Sequence, residues 1–111
     1  MTPGFPSPTS GLLRGRIHVL PVRVYYEDTD AAGIVYYANY LKYAERGRTE
    51  MLRTLGVEQE QLRENTGMQF VMRAGEVRYR RPARLDDALT VETALIELGA
   101  ASVRMRHVMR R

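Results

Sequence analysis

The chain has 111 residues, 44% of them apolar and 27% charged, which bounds it to one small soluble-type globular domain. Seventeen basic against thirteen acidic residues leave a formal charge of +4, but the arginines are scattered singly or in pairs, so no nucleic-acid-binding stripe is expected. The absence of cysteine excludes disulfides, thiolate metal sites and thiol nucleophiles, and two isolated histidines make a poor metal set.

Residues 1–16 hold Pro3, Pro6, Pro8, Gly4 and Gly11 and read as a flexible leader, with regular structure expected from about Ile17. Val22, Val24 and Tyr26 alternate with Arg23 and Tyr25, the period of a strand with one face inward, and Pro21 belongs at its start or on an edge. The stretch Glu27-Asp28-Thr29-Asp30-Ala31-Ala32-Gly33 then makes an acidic turn that passes through glycine into a helix start. A helix is expected from Ala38 to Leu55, with Tyr40, Ala44, Gly47, Met51 and Leu55 on its buried stripe. Glycine inside that stripe points to close packing on a sheet, and Gly56 is placed to stop the helix. Glu58 to Glu64 reads as a short second helix ended at Thr66-Gly67.

Met68 to Arg81 alternates as a long strand, and Arg84 to Asp87 reads as a turn. Ala88 to Leu98 forms the next strand, whose phase changes at Ala94-Leu95-Ile96, the mark of a bulge or of burial on both faces. After a turn at Gly99-Ala100, Val103, Met105, His107 and Met109 alternate with polar residues to the end of the chain. One strand, a long helix and three further strands give an α+β class, an antiparallel sheet on one helix.

The chemistry is expected at the acidic turn. A helix start leaves about four amide donors without intrahelical partners and carries partial positive charge, an arrangement that polarises a carbonyl oxygen set against it. Asp30, a few residues upstream, supplies a base or nucleophile for the same carbonyl, and the pairing points to acyl transfer or hydrolysis. Taken alone, Asp30 reads equally as a turn or helix cap. Asp28 reads as a structural turn residue, and Asn39 as a capping or hydrogen-bonding residue. Glu45 is expected to pair with Arg46 or Arg48, or to remain solvated, on the helix surface.

From Val22 to Tyr40, through Asp28-Thr29-Asp30-Ala31-Ala32-Gly33-Ile34-Val35-Tyr36-Tyr37-Ala38-Asn39-Tyr40, the sequence resembles hotdog-fold acyl-CoA thioesterases of the 4-hydroxybenzoyl-CoA thioesterase type. Tyr43 to Arg53 and the turn Arg80-Arg81-Pro82-Ala83-Arg84-Leu85-Asp86-Asp87 are similar to the YbgC-like, Tol-Pal-associated branch. The resemblance implies a sheet wrapped around the helix and pairing of two domains with active sites at their interface. It further implies Asp30 as the catalytic carboxylate, the Tyr37 amide as the group polarising the thioester, and Gly33, Val35, Tyr36 and Asn39 around the substrate. The implied substrate is an acyl-CoA, coenzyme A entering only as part of it, with no separate cofactor and no metal. A homodimer or dimer of dimers, no nucleic-acid or membrane partner and a cytoplasmic location are expected.

The sequence departs from the family pattern at three points. Tyr37 stands where many YbgC-like members have histidine. No basic cluster for coenzyme phosphates occurs at Gly99-Ala100-Ala101, which leaves Arg104 and Arg106 as candidates. Finally, residues 17–111 are expected to form a hotdog domain short of its last strand. A non-catalytic hotdog module that binds an acyl group or a protein is the competing expectation.

Overall fold

A computed structural model describes residues 4–68, 81–100 and 102–111. Four strands form one antiparallel sheet in the order β1 (Leu12–Arg14), β2 (Ile17–Arg23), β3 (Ala88–Leu98), β4 (Val103–Arg110). The long helix α1 (Asn39–Thr54) lies across the sheet, followed by the short helix α2 (Gln59–Thr66). The strand expected between Met68 and Arg81 lies outside the described residues but for its ends.

Sheet pairing starts at Leu12, inside the stretch expected to be a flexible leader. A two-residue loop, Gly15-Arg16, with Gly15 at φ 60°, folds β1 back onto β2, pairing Leu13 with His18. The preceding residues are fastened as well: the Ser10 carbonyl sits 2.6 Å from Nε2 of the fully buried His18, and the Ser10 hydroxyl donates to Glu50 at 3.1 Å. The leader's composition concealed a hairpin that its glycines permit.

In β2, His18, Leu20, Val22 and, just beyond the strand, Val24 face inward as the alternation predicts, but Tyr26 does not. The chain leaves the sheet at Arg23 and enters a 3-10 turn over Tyr26–Asp28, leaving Tyr26 81% exposed. Pro21 sits opposite Thr90 of β3, past the end of β1, where its missing N–H costs no ladder bond on that side.

The helix has the expected bounds. Its buried line runs Tyr40, Tyr43, Gly47, Met51, so Tyr43 replaces Ala44 in the stripe, and Leu55 is exposed because the helix has already ended there. Gly56 (φ 91°) follows as the left-handed stop. The core joins Tyr40 and Tyr43 to Leu20, Val24, Val35, Ala83, Leu89 and Val91. Tyr40 and Tyr43 meet edge to face, and the Tyr40 hydroxyl accepts the Ala83 amide at 3.0 Å.

β3 has its expected bounds, and the pairing with β4 shifts between Leu95 and Glu97, the bulge that the change of phase foretold. Among the described residues β4 pairs with β3 alone. Its His107 takes Nδ1 to 3.0 Å from the buried Thr93 hydroxyl, under Gly47 of the helix. Burial first, and then the nearby Arg48, pulls the His107 pKa from the usual 6.5 down to about 4. The folded state therefore resists protonation there while the unfolded chain accepts it. Stability is expected to be fully present above pH 6.5 and to fall as pH drops from 6.5 towards 4. Urea titrations of the chain and of His107→Gln between these limits check this, the variant losing that part of the pH dependence.

Candidate active site

The acidic loop is a small folded-back ladder. Thr29 bridges Val35, the Asp30 amide donates to the Ile34 carbonyl at 2.9 Å, and the Tyr36 amide donates to the Asp28 carbonyl at 2.9 Å. Gly33, at φ 77°, closes the tip with its N–H on the Asp30 carbonyl at 3.0 Å. A second bridge, Ile34 to Arg84, and the Val35 amide on the Ala83 carbonyl at 2.7 Å fix the returning arm to the turn before β3. That turn is itself tied to the end of β2, since the Val24 amide donates to the Asp87 carbonyl at 2.9 Å and the Asp86 amide donates to the Val24 carbonyl at 3.0 Å.

Asp30 is exposed on the outgoing arm. Its Oδ1 accepts the Ala32 amide at 2.8 Å, closing an Asx-type turn, while Oδ2 makes no hydrogen bond among the described residues. One carboxylate oxygen is thus held by the backbone, on a side chain that stands at the surface.

The returning arm leads straight into α1. The amides of Asn39, Tyr40 and Leu41 bond to carbonyls three residues back, at Tyr36, Tyr37 and Ala38, so the helix opens with a tight turn. No side chain caps it, and its first turn carries no acid. The helix's own first turn thus adds no negative charge to its partially positive end, and the acid that meets it is the buried Asp28, on the Asn39 side chain at 3.1 Å. Tyr37 lies on this turn, 54% exposed. Asp30 and Tyr37 stand on the two arms of one loop, seven positions apart.

The other expected site residues separate into two kinds. Gly33 and Tyr36 are exposed on the loop, whereas Val35 is buried in the core and Asn39 is only 6% exposed. Asn39 turns its amide to the buried Asp28, whose Oδ1 it meets at 3.1 Å; Asp28 Oδ2 accepts the Tyr25 amide at 2.8 Å. Asp28 is thus the structural turn residue that was expected. The neighbouring Tyr43 hydroxyl is fully buried, and burial, followed by Asp28, raises its pKa well above the ordinary tyrosine value.

Glu45 accepts the Thr49 hydroxyl at 2.7 Å rather than pairing with Arg46, which stacks over the Tyr43 ring at 5.8 Å. Arg104 reaches Glu97 at 3.8 Å, and both are largely exposed. A groove of about 420 Å³ between β2 and α1, walled by Leu20, Val22, Arg23, Glu45 and Arg46, touches Asp28 but neither Asp30 nor Tyr37. Among the described residues no group of His, Asp or Glu is set to hold a metal ion, and no helix is long and apolar enough to cross a membrane.

An antiparallel sheet laid over one long helix, with an acid–glycine loop at the helix start, defines a hotdog domain. The model of the thioesterase-like superfamily matches residues 24–111, and the chain belongs to that family. It is 51% identical over 83 residues to the acyl-CoA thioesterase YbgC of Haemophilus influenzae, an alignment covering 75% of this chain and 61% of the relative. The chain therefore spans about three fifths of the length of this curated relative. A probable thioesterase from Bartonella henselae superposes with a TM-score of 0.79 at 38% identity, over 85% of this chain and 78% of that one. A 4-hydroxybenzoyl-CoA thioesterase carrying an aspartate-to-asparagine mutation, in complex with 4-hydroxybenzoyl-CoA, superposes with a TM-score of 0.79 at 25% identity, over 86% and 69% of the two chains.

Proposed function

We propose that the protein hydrolyses acyl-CoA thioesters to coenzyme A and a carboxylic acid. The observation that carries this reading is the exposed Asp30 carboxylate, one oxygen fastened by the Ala32 amide, on the same short loop as a helix start whose own first turn holds no acid. In this reading the thioester oxygen docks against the Tyr37 amide at the positive end of α1, where the developing oxyanion is stabilised. Asp30 either attacks the carbonyl carbon directly or takes a proton from the attacking water. In both routes the C–S bond breaks, the thiolate leaves and takes up a proton, and water supplies the second carboxylate oxygen.

Coenzyme A enters only as part of the substrate, and no metal or further cofactor is needed for this chemistry. Active sites formed between two copies, in a homodimer or dimer of dimers, are supported by Tyr25, Tyr26, Tyr36 and Tyr37, which stand 54–81% exposed around the loop. The name of the Haemophilus relative and the substrate complex of the asparagine mutant support the substrate class. A CoA-dependent substrate also fits a cytoplasmic location. The test is release of free thiol from a panel of short, long and aromatic acyl-CoAs. Turnover of at least one is expected; binding without thiol release from any would favour a non-catalytic acyl-binding module.

A further inference from the structure

We infer that Asp28 and Asn39 form a buried positioning pair that sets the helix start against Asp30. Asp28 makes three ties at once: Oδ2 to the Tyr25 amide, Oδ1 to the Asn39 side chain, and its own carbonyl to the Tyr36 amide. These reach the beginning of the 3-10 turn, the first residue of α1, and the residue directly before Tyr37. Asp28 also lies two residues before Asp30. One side chain thus joins the arm that carries the acid to the arm that carries the polarising amide.

Both partners are only 6% exposed, so the charged bond is shielded from water and geometrically demanding. The helix start has no side-chain cap of its own. Asn39 directs its amide to Asp28 rather than to the helix, which makes this pair a side-chain restraint on where α1 begins, beside the Tyr40 hydroxyl on the Ala83 amide. An error of about an ångström between reacting groups can cost on the order of 100-fold in rate. A shift of the helix start relative to the loop would be felt in kcat before it was felt in substrate binding.

The inference rests on the thioesterase reading, and the test keeps the two apart. In Asp28→Asn the carboxylate can no longer accept from both donors, because an NH2 group must face either the Tyr25 amide or Asn39. In the exchange Asp28→Asn with Asn39→Asp, the asparagine accepts from Tyr25 and donates to the new aspartate, and both bonds return. The expected result is a kcat lowered about 10- to 100-fold in each single variant, with KM changed much less, and recovery to near the parent value in the exchange. Thermal unfolding is followed alongside.

Unchanged kcat in a folded Asp28→Asn overturns the inference. So does an exchange variant that folds yet stays as slow as the singles, or one that fails to fold, since the pair would then serve stability alone. Should Asp28→Asn itself fail to fold, the exchange variant carries the comparison. Absence of thiol release from the parent chain would strike at the thioesterase reading; release that depends on Asp30 but not on Asp28 would strike at the positioning pair only.

Discussion

Asp30→Asn is expected to lower kcat for acyl-CoA hydrolysis by about 100- to 10,000-fold, the range that loss of a positioned base or nucleophile produces. Asparagine keeps the size of aspartate, and its side-chain oxygen can still accept the Ala32 amide that now bonds Oδ1 at 2.8 Å. The turn should therefore survive. Because Asp30 is exposed, the melting temperature should barely move, a surface change of this kind being worth about 0.5 kcal/mol or less. Loss of turnover without loss of stability is the pattern to seek in parallel thiol-release and calorimetric measurements. A variant retaining parental kcat would remove Asp30 from the chemistry.

The largest effect on stability is expected at Gly47. Two terms oppose each other in Gly47→Ala. Alanine in a helix interior is favoured over glycine by about 1 kcal/mol. Against this, a Cβ built at position 47 would lie 2.6 Å from the Thr93 hydroxyl oxygen and 2.8 Å from a Val91 methyl. Both neighbours are fully buried, and Thr93 is further held by His107 at 3.0 Å, so neither can swing aside. Relief requires α1 to lift from β3, and overpacking of that kind costs about 1–3 kcal/mol. With both neighbours fixed the clash outweighs the propensity, and Gly47→Ala is expected to be net destabilising by up to about 2 kcal/mol in urea titration. A neutral or stabilising result would mean that the helix rides higher above the sheet than described.

That same glycine explains why so much of the fold was legible in the sequence. A glycine costs a helix stability, so its presence at a stripe position announced a surface approaching too closely for a side chain. The bulge after Ala94 was similarly announced by alternation changing phase, and the end of α1 by Gly56. Alternation misled at Tyr26, where the pattern of β2 runs on although the backbone has turned away. What turns it is Asp28, and its partner Asn39 lies eleven positions along the chain, too far for local periodicity to register. The hairpin at Gly15-Arg16 was hidden for another reason: three prolines upstream dominate the composition of a stretch whose last residues pair with β2.

At the candidate site, what could be read was chemical type, and what could not was division of labour. An acid, a glycine and a helix start in that order mark a place where a carbonyl can be attacked and polarised. Which of the two aspartates stays exposed depends on which one finds buried donors. Asp28 finds the Tyr25 amide and Asn39; Asp30 finds, among the described residues, the Ala32 amide and stays exposed. Asn39 is buried in the framework that holds the loop to the helix, bonded to Asp28.

The vibrational spectrum of a bound thioester tests the joint action of Asp30 and the α1 start most directly. Asp30→Asn, which should bind acyl-CoA without consuming it, is loaded with a substrate labelled at the carbonyl carbon, and the labelled C=O stretch is isolated by difference infrared spectroscopy. Polarisation by the helix-start amide predicts a band at lower wavenumber than for the same ester in water. A bound thioester whose carbonyl band stays at its solution position, or moves upward, would contradict the account.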